Sequence, residues 1–305
     1  MPPRIVAIVV TWNRRADLVR CLASLQASDY DNFEVVVVDN GSNDGSRAAV
    51  RQAFPRINYL SSANNLGFAG GNNLGIRCGL ERGADYVFLL NDDAVVEPST
   101  LGALAQAAEA QPAAGMWGAK IYALEDRRVV ISGGGVLQGG WRPMHRSQGA
   151  RDDSAPGGSA EDRPIAVDFL SGAALLASRK AIEAVGLLDE DFYLYFEDVE
   201  WCYRARQRGF SVLAVPQAVV YHPDTRARDP DSPSVTYYSA RNSLLFAKKH
   251  RLGYAVAARM WLGHLRSLAS WSLRPRWRRK RRQRDALAKA LRDFVRGRWG
   301  AAPSL

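Results

Sequence analysis

The sequence predicts an α/β fold built on a mostly parallel, doubly wound sheet. Apolar, β-branched runs ("RIVAIVVTW", "FEVVVVD", "ADYVFLL") alternate with stretches whose apolar residues recur at helical spacing. The runs are nearly continuous, which suits strands covered on both faces. Each ends on polar residues: Thr11 to Asn13, Asp39 to Asn40, and Asn91 to Asp93. In such sheets ligands bind at the carboxyl ends of the strands. Ordinary turn chemistry explains any one of these ends. Three on one edge point to a site.

"RIVAIVVTW" is the first strand, and "RADLVRCLASLQAS" a helix with Leu18, Cys21, Leu22 and Leu25 on one face. "FEVVVVD" is the second strand and runs into a turn rich in Asn, Gly and Asp. "SRAAVRQAF" is a helix with Ser46 as N-cap. "INYLSS" is a short third strand. "NNLGFAGGNNLGIRCGLERG" is a Gly- and Asn-rich loop running into a helix, and "ADYVFLLNDD" is the fourth strand. A helix opens at Pro98 or Ser99. Residues 117–149 resemble short strands and a hairpin, and "ARDDSAPGGSAEDRP" is a polar surface loop. "IAVDFLSGAALLASRKAIEAVG" is a strand and then a helix. "LLDEDFYLYFEDVEWCYRARQRG" joins an acidic aromatic loop to a helix, and "FSVLAVPQAVVYHP" is a further strand. The expected division is a domain over 1–235, in halves 1–97 and 98–235, with a helical, Arg-rich extension over 236–305.

Composition narrows the function classes. Cys21, Cys78 and Cys202 are odd in number and lack CxxC spacing, which argues against a disulfide framework or structural zinc and for a reducing, cytoplasmic compartment. The N-terminal apolar run is too short for a signal peptide, and no run reaches spanning length. The net charge is +10, yet residues 251–305 alone carry 15 Lys and Arg against Asp285 and Asp293, so the first 250 residues are net −3. A global argument for nucleic acid therefore fails: it would explain only the tail.

The chemistry concentrates in three places. Asp92 and Asp93 are adjacent carboxylates ending an apolar strand, hard oxygen ligands suited to magnesium or manganese, or else solvated loop charges. Glu197 and Asp198 precede a helix, where the dipole favours a carboxylate as a cap; the other reading is a general base. His222 ends a strand before a proline, as a packed imidazole or as a ligand returned to the same edge.

"VTWNR", "VVVVDNGSNDGS", "NNLGFAGGNNLGI", "LLNDDAVVEP", "FLSGAALLASRKAIEAVGLLDEDFYLYFEDVEWCYRARQRGF" and "VVYHP" follow one another in that order. Together they resemble glycosyltransferase family 2, in the bacterial branch that includes rhamnosyl- and galactofuranosyltransferases. The resemblance implies a GT-A (Rossmann-like) fold over about residues 4–250. It implies that Thr11, Asn13 and Asp39 line the nucleotide base and ribose. Asn65, Gly67, Gly70, Gly71 and Asn72 would stand beside the donor, the glycines admitting the nucleotide close to the backbone. Asp93 becomes the main metal ligand, with His222 a later one and Asp92 on the ribose or on a metal-bound water. Asn91 replaces the first Asp of the family's Asp-x-Asp motif. Asp198 matches the catalytic base and Glu197 its acidic neighbour.

The implied reaction is metal-dependent inverting transfer. Magnesium or manganese stabilises the leaving nucleoside diphosphate, and Asp198 takes the acceptor proton. The branch suggests dTDP-L-rhamnose as donor, then UDP-sugars, with a cell-surface glycan or its lipid-linked precursor as acceptor. The segment from about Gly133 to Arg163 is expected to shape acceptor choice. A catalytically inactive nucleotide-sugar-binding scaffold is the rival, opposed by intact Asp93, Asp198 and His222. A sugar-phosphate nucleotidyltransferase would carry a Gly-rich loop and a Lys after the first strand, where "TWNRRADL" stands.

In the tail, Arg241 and Asn242 are expected to face the donor pyrophosphate or the acceptor. Trp261, Leu262, Leu265, Leu268 and Trp271 form a helical apolar stripe, followed by the cluster Arg274 to Arg284. That combination suits an interfacial helix on an anionic membrane, at the inner face of the cytoplasmic membrane. A helix packed on the domain is the alternative.

Overall fold

The computed structural model describes residues 2–153, 163–224 and 232–302. Most of the loop "ARDDSAPGGSAEDRP" lies outside them. The main sheet runs β10-β12-β6-β11-β4-β1-β2-β3, with β5 on β12 and β7 on β6. Here β1 is Ile5–Thr11, β2 Phe33–Asp39, β3 Asn58–Ser61, β4 Tyr86–Asn91, β5 Val95–Val96, β6 Ala114–Ala123, β7 Val130–Ser132, β10 Ile165–Ala166, β11 Ala174–Ser178 and β12 Ser211–His222. The strands β4, β1, β2 and β3 are mutually parallel, as are β6 and β12. Antiparallel β11 (Ala174–Ser178) joins the two parallel groups. The expected hairpin is β8 (Gly135–Gln138) with β9 (Arg142–His145).

Side chains alternate along β1. Ile5, Ala7 and Val9 enter one core with α1 (Arg15–Gln26), α2 (Ser46–Ala53) and α4 (Thr100–Ala110). Val6 and Ile8 enter the other, with α3 (Gly67–Glu81), α5 (Arg179–Val185) and α6 (Glu197–Gln207). Two buried faces explain the continuous β-branched runs. One local expectation differs. The N-cap of α2 is Gly45, at φ +84°, and Ser46 is the first helical residue, its amide capped by the Asp44 carboxylate.

The glycines of "GFAGGNNLG" lie inside α3 rather than in a loop. A Cβ at Gly71 would sit 2.6 Å from Val10 Cγ1, and one at Gly75 would collide with Ile8. The bare stripe lets the helix press onto β1.

After β12, α7 (Pro233–Lys249), α8 (Tyr254–Leu273) and α9 (Arg281–Val295) form a third apolar cluster. The division expected at 235/236 thus falls in the first turn of α7. The stripe of α8 divides: Trp261, Leu268 and Trp271 pack inward, whereas Leu262 and Leu265 are 59% and 49% exposed. Among the described residues no helix is long and apolar enough to cross a membrane.

Candidate active site

The three polar strand ends converge. Thr11 stands opposite Asp39 across β1 and β2, and Val10 opposite Asn91 across β1 and β4. A turn from Asn91 to Ala94, closed by a 3.1 Å bond, lifts Asp92 and Asp93 to the edge. The next strand, β5, pairs with β12 at Tyr221 and Val220, which delivers His222 to the same corner. His222 Nε2 lies 3.0 Å from Asp93 Oδ1.

A positive group does sit beside the paired carboxylates. Arg14, at the start of α1, pairs with Asp93 Oδ2. Burial acts to raise Asp93, but His222 and Arg14 overcome it and hold the group at about 2. Asp92 lacks that direct pairing, and burial pushes it up to about 7. Neighbouring carboxyls driven apart are a signature of working sites. Sequence reasoning passed over Arg14, although "TWNRR" places two arginines directly after the strand end.

A divalent cation fits this corner. Asp93 Oδ1 is buried and accepts no hydrogen bond, since His222 is near but misaligned. His222 Nδ1 is 2.8 Å from the Pro223 carbonyl and must donate to it, which leaves Nε2, 2.9 Å from Asn91 Nδ2, to face Asp93; that carboxylate raises the imidazole, and a bound cation would take the place of the Nε2 proton. A carboxylate oxygen and an imidazole nitrogen therefore share a corner. The described residues hold no group of three such ligands.

The other expected residues divide. Thr11 is buried at the edge beside Asp92, whose carboxyl its hydroxyl acts to lower. Asp39 is braced by Tyr59 (2.9 Å) and the Ser42 amide (2.8 Å). Asn13, at φ +54°, accepts from the Asn43 amide at 2.8 Å. Asn65 caps the Gly67 amide at 2.8 Å, and Asn72 donates to Phe68 within its own helix. The Cβ space of Gly67 is taken by Tyr193, that of Gly70 by Leu66, and that of Gly71 by Val10 and Asn40. Their bareness serves close packing. Asn73, which the sequence did not single out, bonds Leu188 and Glu190 at 2.9 Å each and ties α3 to the acidic loop.

Asp198 opens α6 half-buried and faces the same edge. Its carboxylate accepts from the amides of Gly172 (2.9 Å) and Val199 (2.7 Å). The adjoining Ala173 carbonyl accepts from the Asn91 amide at 3.1 Å, so a short backbone path links the two carboxylate stations. Burial raises both Glu197 and Asp198. The amides oppose that rise at Asp198, while Glu197 Oε2 has no partner. Glu197 therefore keeps the proton, and Asp198 bears the charge.

Arg241 departs from its expected role. It is 1% exposed, and its guanidinium donates to the carbonyls of Gly300 (2.7 Å), Asp191 (3.2 Å) and Phe192 (3.2 Å). Asn242 donates to the carbonyls of Phe192 (2.8 Å), Leu194 (2.9 Å) and Tyr195 (2.7 Å). Neither side chain reaches the strand ends. Together they clamp a loop in which Tyr193, Tyr195 and Phe196 all have positive φ.

The chain is similar to known proteins over most of its length. The family model described as "Glycosyl transferase family 2" matches residues 6–148. The N-acetylglucosaminyl-diphospho-decaprenol L-rhamnosyltransferase of Mycobacterium tuberculosis is 30% identical over 91% of this chain and 95% of its own. The dTDP-rhamnosyl transferase RfbF of Shigella flexneri is 23% identical over 85% of each chain. Among solved structures, a mannosyltransferase of Pyrobaculum calidifontis in complex with GDP-Man and Mn2+ superposes with a TM-score of 0.58 at 18% identity, over 97% of this chain and 88% of that one. At that identity the likeness establishes the GT-A fold and nothing finer.

Proposed function

Because this chain belongs to glycosyltransferase family 2, and is thus a nucleotide-sugar glycosyltransferase, we propose that it transfers L-rhamnose from dTDP-L-rhamnose, with inversion, to a diphosphate-linked saccharide on a polyprenol. UDP-sugars are the second choice of donor. The names of the mycobacterial and Shigella relatives support donor and acceptor. The observation that carries the mechanism is the pairing of two unlike carboxylate stations at one sheet edge. Asp93, held ionised, and His222, oriented by the Pro223 carbonyl at Nδ1, would hold magnesium or manganese. When bound, that ion neutralises charge on the leaving diphosphate. Thr11, Asn13 and Asp39 line the adjoining edge where base and ribose would lie, with Asn65 and Asn72 shaping the start of α3 beside it. Asp198, charged and aligned by two amides, takes the proton of the acceptor hydroxyl. A single base acting on the attacking oxygen supports direct displacement.

The test is a donor panel with manganese, scored for nucleoside diphosphate release with and without a short-chain N-acetylglucosaminyl diphosphoprenol. Release from dTDP-L-rhamnose should fall about 10³-fold in Asp198→Asn. Asp93→Ala should abolish metal-dependent nucleotide binding. Full activity in both variants would overturn the assignment.

We place the enzyme on the inner face of the cytoplasmic membrane. Exposed Leu262, Leu265 and Leu273 on α8, beside Arg274, Arg276, Arg278 and Arg279, support contact with anionic lipid. The protein should float with anionic but not neutral liposomes; failure to float with either removes the membrane claim.

A further inference from the structure

A groove of about 360 Å³ lies where the catalytic sheet meets the tail. The β8–β9 hairpin supplies Trp141, the start of α6 supplies Phe196, α7 supplies Thr236, Ser239 and Ser243, and α8 supplies His264, Ser267 and Trp271. Its walls are three aromatic rings with Pro143, Ala240 and Leu287, and its polar groups are hydroxyls, one imidazole and the Arg142 guanidinium. Thr236 and Ser243 donate to backbone carbonyls, which leaves their oxygen lone pairs open. His264 Nε2 is buried and has no partner, and burial lowers the group so that the ring is neutral near pH 7. An unsatisfied buried nitrogen inside a cavity calls for a ligand hydroxyl or water. No acidic side chain lines the groove and Arg142 does, which disfavours a cation; the lining is mostly apolar, with its polar groups set among the rings. Aromatic faces alternating with hydroxyl partners match a sugar ring, whose two faces are apolar and whose rim is polar.

Position gives the ring its role. Phe196 is two residues before Asp198, so the groove shares a wall with the segment that carries the proposed base. We propose that this groove is the acceptor subsite: it holds the saccharide ring of the acceptor against Trp141, Phe196 and Trp271, with His264 and the serines on its hydroxyls. The inference rests on the transferase reading above, and it makes the tail helices part of the binding site. Acceptor choice is then written in α7, α8 and the hairpin rather than in the donor edge.

The experiment measures two dissociation constants on the full chain. One is for a short-chain N-acetylglucosaminyl diphosphoprenol, and the other for dTDP with manganese. Trp271→Ala and His264→Ala should each weaken acceptor binding about tenfold or more. Both should leave the nucleotide constant within about twofold, a split that general unfolding would not produce. Trp271→Phe and His264→Gln should recover most of the acceptor affinity, because ring and hydrogen-bonding group are kept. Unchanged acceptor binding in both alanine variants overturns the subsite. So does wild-type protein that binds dTDP but not the prenol-linked sugar. Protein that binds neither refutes the transferase reading itself.

Discussion

The site has two halves that are built differently. At the donor edge, Asp92 and Asp93 are set by the turn ending β4, Thr11 and Asp39 by the ends of neighbouring strands, and His222 by the β5–β12 pairing. Strand register fixes that half from a few residues away. The half bearing Asp198 is fixed from a distance: its loop has three non-glycine residues at positive φ, and Arg241 and Asn242 on α7 hold it by the carbonyls of residues 191–195. The C-terminal segment closes the arrangement, with Gly300 accepting from Arg241 and donating to Asp191 at 2.9 Å. The tail is thus part of the architecture that holds the loop before Asp198, whatever it touches outside.

The largest effect should come from breaking that clamp. Arg241→Ala removes a fully buried guanidinium, takes the donor from the Gly300 carbonyl, and leaves the carbonyls of Asp191 and Phe192 with the Gly300 amide and Asn242 alone. The expected loss is about 3 kcal/mol, the orphaned carbonyl costing about 1–3 kcal/mol and the broken buried network and cavity the rest. Turnover should fall by about 10², because a displaced loop misaligns Asp198. Lysine should not rescue it, having one compact charge in place of a planar fork. Thermal unfolding alongside dTDP binding separates the two possible roles of Arg241. A lowered melting temperature with intact nucleotide affinity marks a clamp. An unchanged melting temperature with weakened nucleotide binding would return Arg241 to the donor pyrophosphate, as its charge and position in the sequence suggested.

That contrast also explains what could be read in advance. The α/β alternation, the parallel strands β1 to β4 and the convergence of strand ends were legible because they depend on local periodicity and on strands covered on both faces. The clamp was not, because Arg241 and Phe192 are 49 residues apart and only the packed fold brings them together. An arginine near a phosphate site is read as a ligand by default; nothing local marks one turned inward onto carbonyls. The same limit applies to "GFAGGNNLG". A run of glycines signals close approach, but the sequence does not say whether nucleotide or Tyr193, Val10 and Ile8 does the approaching. On α8, helical spacing found the apolar residues but not that the helix has two apolar faces, one on α9 and one outward.

The smallest effect should distinguish the two carboxyls at the head of α6. Glu197 is buried, unpartnered at Oε2 and raised well above the usual range, so it is neutral where Asp198 is charged. Glu197→Gln then keeps both shape and charge state. Turnover should stay within about threefold of wild type, against the 10³-fold loss expected for Asp198→Asn. The acid limb of kcat/KM should stay in place too, above the ordinary value of 3.8, because burial raises Asp198 in either protein. The sign for stability follows from the same shift. A carboxyl raised by folding contributes its full stability below its unfolded pKa and loses it as pH rises through its folded one. Wild type should therefore lose stability on the alkaline side, and Glu197→Gln should lose less, with a melting temperature that overtakes wild type as pH rises. A collapse of activity in Glu197→Gln, or no such crossing, would mean that Glu197 is the ionised member and that the amides of Gly172 and Val199 align a spectator.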